Sequence, residues 1–236
     1  MRIINAGYEI LSDIDGIKEL QHIEKIGRVC YKSEDKITDD GESAKKFVKM
    51  LISRGHEAMI EHSMLSVKFI VDRGVSHEIV RHRIASFAQE STRYCNYSAD
   101  KFDNGITFIQ PCWIEESLAG TYKIRWEGNL GEPIDAPFDK IITRGASDWF
   151  WDMAVAERDY IRLLEKEWTP QQARSVLPNS TKTEVIMTAN YREWRNFFKL
   201  RTAKAAHPQM CEVTIPLLKE LQTRIPVVFD DIIPEE

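Results

Sequence analysis

The chain contains no C-x-x-C pair. Its four cysteines, Cys30, Cys95, Cys112 and Cys211, are scattered across 236 residues. That spacing excludes a zinc ribbon and a thioredoxin-like redox pair, and a disulfide framework is not expected in a chain of this length. Both G-x-G-x-x-G and G-x-x-x-x-G-K-[ST] are missing, and the 11 glycines are dispersed. A dinucleotide or triphosphate held in the Rossmann or P-loop manner is therefore disfavoured. Any phosphate must instead be met by arginines, hydroxyls and helix N-termini. No apolar run approaches the ~18 residues that a membrane span needs. The opening MRIINAGYEI lacks the basic-then-apolar pattern of a secretion leader. Positive charge is not in excess either. The 32 Lys and Arg against 37 Asp and Glu leave a net charge of −5, which argues against a polyanion or a membrane as partner. A reducing cytoplasm fits these features.

What is present is an ordinary globular composition, 43% hydrophobic and 29% charged, consistent with one domain over 1–236, with two small domains as the alternative. The opening segment reads as a short strand and 14–30 as a helix. Ser43 to Arg54 reads as a helix capped by Ser43, with Phe47, Val48, Leu51 and Ile52 on one side. MLSVKFIV (64–71) reads as a strand, followed by a turn at Asp72–Gly74. From about Ser76 a helix is expected to run towards the basic stretch that begins at Arg81, with Ile79, Val80, Ile84 and Phe87 as its buried side. Residues 99–140 form an irregular, variable excursion. Thr143 to Trp168 reads as a long helix. Thr169, Pro170 and Gln172 give a helix start of the capping-box type. KTEVIMTA (182–189) has strand composition at its centre, with a helix start as the alternative, 190–201 is helical, and a further helix from Pro208 should kink at Pro216. IPVVFDDI reads as a last strand or an extended tail. The expected fold class is α+β, a modest sheet covered by helices in a helix-rich chain.

The chemistry concentrates in 81–98, RHRIASFAQESTRYCNYS. Arg81, His82, Arg83 and Arg93 surround Ser86, Gln89, Ser91 and Thr92, a mixture that suits phosphates and polar ring edges. On a helix, three adjacent cationic residues point about 100° apart and cannot all face one small ligand. Either the helix ends there or ligands lie on two sides. Ser91 and Arg93 in a loop form an anion cradle. A second polar set is Arg174, Asn190, Arg192, Asn196 and Arg201, with Tyr191, Trp194, Phe197 and Phe198 available to border a flat ring. Arg192 and Asn196 share a helix face. HEAMIEH (56–62) misses H-E-x-x-H, since its histidines are six apart, and His77 and His82 miss at five apart, so no metal is expected. Glu61 and His62 are instead expected as an N-cap or a hydrogen-bonded core pair. Cys112 has no assignable base and reads as a buried or partly buried structural thiol. An RNA-binding module or a zinc hydrolase would have to rest on these same weak signals.

Arg81-His82-Arg83, then seven residues, then Ser91, resembles the signature of flavin-dependent thymidylate synthases. RVCY (28–31), RGHEAMIEH (54–62), ARSVLP (173–178), TANYREWRNFFKLR (188–201) and AHPQM (206–210) look like further blocks of that family, in the same order. The resemblance implies a methyltransferase that converts dUMP to dTMP in de novo dTMP biosynthesis. The carbon donor is then 5,10-methylenetetrahydrofolate, the hydride comes from FAD reduced by NADPH, and no protein nucleophile takes part. It implies a homotetramer whose active sites are shared between subunits. It also implies flavin contacts at His56, Arg81, His82, Arg83, Gln89, Asn190, Arg192 and Asn196. Glu78, Arg81, Gln89, Glu90, Ser91, Arg93 and Arg174 are the implied dUMP contacts, and Arg201 is the catalytic arginine facing the pyrimidine. The chain departs from the S-x-N-E-x-S core found in many members, reading Ser86-Phe87-Ala88-Gln89-Glu90-Ser91. Either Gln89 or Glu90 then meets the pyrimidine. A relative that binds the nucleotide but has lost catalysis is the alternative, with Ala88 as its support.

Overall fold

The computed structural model describes residues 1–126 and 143–235; positions 127–140 of the expected excursion lie outside the described residues. Strands are β1 (Arg2–Ile4), β2 (Gly7–Ile10), β3 (Met64–Asp72), β4 (Ser86–Gln89), β5 (Thr107–Ile109), β6 (Gly120–Thr121) and β7 (Lys182–Asn190). Helices are α1 (Gly16–Tyr31), α2 (Glu42–Ser53), α3 (Arg73–Ile79), α4 (Arg144–Glu165), α5 (Pro170–Ala173), α6 (Tyr191–Arg201) and α7 (Pro208–Arg224). The class is mixed and helix-rich with two small sheets, ordered β5-β1-β6 and β2-β3-β7-β4. No helix among the described residues is long and apolar enough to cross a membrane.

Contacts divide the chain into two compact units. The first comprises 1–7, 70–78 and 89–185. In it β1 pairs parallel with β5, Ile3 opposite Phe108, and antiparallel with β6. Ile3, Phe108, Phe150, Met153 and Tyr160 share its core, the last three from one side of α4. The second unit comprises 8–69, 79–88 and 186–236. Its core includes Leu20, Phe47, Leu65, Trp194, Phe198 and Leu217, all at most 5% exposed. A Cβ at Gly27 of α1 would stand 2.5 Å from the Phe47 ring, so only glycine lets these helices approach so closely. Residues alternate between buried and half-buried along β7, the pattern of a strand with one covered face.

Several sequence expectations are corrected. Ser43 does not cap α2; the N-cap is Gly41, with φ of +79°. The Ser43 hydroxyl instead donates to Glu24 at 2.7 Å and accepts from the Thr38 amide at 2.9 Å. Asp72–Gly74 is no simple turn, because α3 begins at Arg73, and the Asp72 carboxylate accepts from the Val75 amide at 2.7 Å. That helix stops at Ile79. Ile84 is 71% exposed rather than buried, and Phe87 lies on β4. IPVVFDDI is neither strand nor extended tail: it turns, burying Val228 and Phe229. The helix expected from Pro208 is present as α7, and Pro216 lies inside it.

Candidate functional site

The early end of α3 decides how 81–83 are presented. His82 is buried, while Arg81 and Arg83 are exposed with no ion-pair or hydrogen-bond partner among the described residues. The three side chains therefore diverge because the backbone has left the helix, the first of the two arrangements the sequence allowed.

In the second unit His82 joins a polar cluster. Its Nδ1 lies 3.0 Å from Glu193 Oε1, and Arg201 Nε donates to its Nε2 at 3.1 Å. The Phe197 ring meets the imidazole edge-on at 4.9 Å. Burial lowers the His82 pKa and the Arg201 charge lowers it further, against the raising pull of Glu193. Asn190, N-cap of α6, accepts from the Glu193 amide at 2.9 Å. Asn196 donates to both Glu193 carboxylate oxygens at 3.3 Å. Beside this cluster lies an open cavity of about 490 Å³ lined by Ile84, Asn190, Arg192, Glu193, Asn196 and Lys199. Glu57 and Glu61 border it as well, and Arg192 reaches Glu61 at 2.6 Å. Glu61 and His62 are exposed, so the expected N-cap or core pair gives way to a surface ion pair. His56 is also exposed, its Nδ1 3.2 Å from the Tyr31 hydroxyl.

The first unit carries the other predicted contacts. Gln89 Nε2 donates to Ser76 Oγ at 2.9 Å and to Thr183 Oγ1 at 3.3 Å. Its carbonyl oxygen has no partner among the described residues. The Glu90 carboxylate is divided between the Tyr97 hydroxyl and the Lys182 ammonium, each at 2.9 Å. Ser91 and Arg93 lie in the turn after β4, where Ser91 Oγ accepts from the Arg93 amide at 3.3 Å. Arg93 reaches Gln171 at 3.3 Å, and Arg174 donates to Thr92 at 3.2 Å. A hollow of about 540 Å³ opens here, lined by Arg73, His77, Thr92, Gln171 and Arg174 among others. Glu78 is half-buried at the end of α3.

Arg174 lies in the first unit, and Asn190, Arg192, Asn196 and Arg201 lie in the second. Two readings made from sequence fail, those of the aromatic set and of Cys112. Tyr191, Trp194, Phe197 and Phe198 are at most 1% exposed and fill the core rather than bordering a ring. Cys112 is exposed rather than buried or partly buried. Sequence also missed Glu193. It sits inside a block already singled out, but nothing local connects it to an imidazole 111 residues earlier.

The family described as "Thymidylate synthase complementing protein" matches residues 14–227. The chain belongs to that family. A flavin-dependent thymidylate synthase of Corynebacterium aurimucosum is 30% identical over 210 residues, 89% of this chain and 78% of that one. One from Mycolicibacterium vanbaalenii is 30% identical over 221 residues, covering 93% and 81%. The fold is similar to that of a UMP/dUMP methylase, PolB from Streptomyces cacaoi bound with 5-Br dUMP. That likeness has a TM-score of 0.70 and 24% identity over 98% of this chain and 96% of the other.

Proposed function

We propose that this chain is a flavin-dependent thymidylate synthase that reductively methylates dUMP to dTMP. 5,10-Methylenetetrahydrofolate is the carbon donor. The reading takes 1–236 as one catalytic domain, working as a cytoplasmic homotetramer with active sites shared between subunits. The observation that carries it is the family match over 14–227.

The donor set beside Arg192 fits a flavin nucleotide. Amides at Asn190 and Asn196 and cations at Arg192 and Lys199 offer hydrogen bonds to ring and phosphate oxygens, and Ile84 offers an apolar contact. Arg81 and Arg83 add exposed guanidinium groups, and His56 an exposed imidazole. When bound, FAD reduced by NADPH supplies the reducing equivalents. The chain's own groups bind, orient and polarise. Ser91, Arg93 and Arg174 grip the 5′-phosphate of dUMP, with Arg81 and Glu78 as further nucleotide contacts. Gln89, whose carbonyl oxygen remains available, reads the pyrimidine edge. Glu90 instead braces the loop through Tyr97 and Lys182. Arg201, at the pyrimidine edge, favours the electron-rich, partly deprotonated ring whose carbon 5 attacks the one-carbon unit.

The test is direct. The purified protein should be yellow or take up FAD, and should form dTMP when dUMP, methylenetetrahydrofolate and NADPH are all supplied. A colourless protein that neither binds FAD nor makes dTMP overturns the reading.

A further inference from the structure

We propose that Glu193 is a positioning residue that acts on Arg201 through a single tautomer of His82. The proposal rests on the reading of Arg201 as the arginine facing the pyrimidine. It begins with donors and acceptors. An arginine Nε–H only donates, and the guanidinium does not deprotonate in a protein. The 3.1 Å contact from Arg201 Nε therefore requires a bare lone pair on His82 Nε2. The imidazole is then neutral and carries its one proton on Nδ1. That proton points at Glu193 Oε1, 3.0 Å away. A carboxylate placed in this way fixes both the ring's rotation and its tautomer.

The surroundings hold Glu193 itself. It stands in the first turn of α6, where the helix dipole favours a negative charge. Asn196 donates to both of its oxygens. His82 is 5% exposed and closed on one side by Phe197, so water does not readily replace either hydrogen bond. The result is a chain from amide to carboxylate to imidazole to guanidinium, in which each member sets the direction of the next. If the ring carried its proton on Nε2, two N–H groups would face each other and Arg201 would swing away. The Arg81-His82-Arg83 run thus contributes its central residue to the placement of Arg201.

The experiment uses the full-length, FAD-loaded protein. ¹⁵N-histidine NMR, with the His82 signal assigned by its loss in His82→Gln, should show a protonated Nδ1 and a bare Nε2. In Glu193→Ala the proton should redistribute towards Nε2. Kinetically, Glu193→Ala should lower kcat by about tenfold or more with the KM for dUMP changed less than about threefold. Glu193→Gln, whose amide oxygen still accepts from Nδ1–H, should retain most of the activity. Adding Glu193→Ala to Arg201→Ala should cost nothing further, because both act at one point. A proton on Nε2 in the unaltered protein overturns the proposal. So does a Glu193→Ala penalty that is undiminished in the Arg201→Ala background. If Arg201→Ala alone keeps near-normal turnover while the NMR result stands, the role assigned to Arg201 falls and the tautomer assignment survives.

Discussion

Arg195 and Asp231 form a two-point ion pair, with the guanidinium nitrogens 2.6 and 2.8 Å from the two carboxylate oxygens. Arg195 also donates to the Val228 carbonyl and reaches Glu57 at 3.2 Å. Its side chain is 2% exposed. One buried cation thus ties α6 to the segment after α7 and to the turn at 57–62. Arg195→Ala should cost about 3 kcal/mol, since it leaves two carboxylates and a carbonyl without their shared donor. Denaturant unfolding of the flavin-free protein measures this, and a loss under about 1 kcal/mol would contradict it.

The same pair predicts an acid limit. The hydrogen bond from Arg195 holds the Asp231 carboxyl below its ordinary 3.8. A depressed folded value means that the contribution is complete above 3.8 and is lost as pH falls through the folded value. Asp231→Asn should therefore flatten the stability profile below about pH 4. An unchanged acid slope would remove the pair from the account.

At the alkaline end the phenols dominate. Burial and the Glu220 carboxylate push Tyr8 up to about 12 from 10.0, and burial raises Tyr97, Tyr160 and Tyr191 as well. Folded phenols keep protons that the unfolded chain releases. Stability is thus full below 10 and declines as pH rises towards the folded values. The urea midpoint should fall above about pH 10, and Tyr8→Phe should remove part of that fall.

Ser91→Ala should weaken dUMP binding by about three- to tenfold while leaving measurable turnover, as expected for a single hydroxyl contact to a phosphate. Equilibrium dUMP binding and single-turnover kinetics separate the two effects. Complete loss of turnover with intact affinity would instead mark the hydroxyl as a nucleophile.

Arg201→Ala should cut turnover by about 100-fold or more, the scale of losing one donor aimed at the charge on a reacting group. The protein should remain folded and able to bind FAD. Arg201→Lys should not restore activity, because an ammonium cannot reproduce a guanidinium held by its Nε. Near-normal turnover in either variant would remove Arg201 from the chemistry.

Legibility in the sequence followed the range of the cause. β7 and α6 were readable because β-branched runs and helical spacing act over a few residues. β4 was not, since its strand character comes from pairing in the sheet with β7, far along the chain. Ile79, Val80, Ile84 and Phe87 are spaced like one helical face, yet the helix stops at Ile79. The α2 cap was misplaced because Ser43 is drawn away by Glu24 of another helix. In α6, four aromatic side chains and the basic residues share one short helix, and composition could not say which side meets the core. The basic motif was plain as chemistry, while the carboxylate that reaches its histidine was not.

The stop at Ile79 has a last consequence. Six residues link that point to β4, and among them only His82 is buried, between exposed Arg81 and Arg83. Deleting one of them should draw His82 away from Glu193 and Arg201. The spacing of this stretch therefore matters to the imidazole's two hydrogen bonds as much as the imidazole itself does.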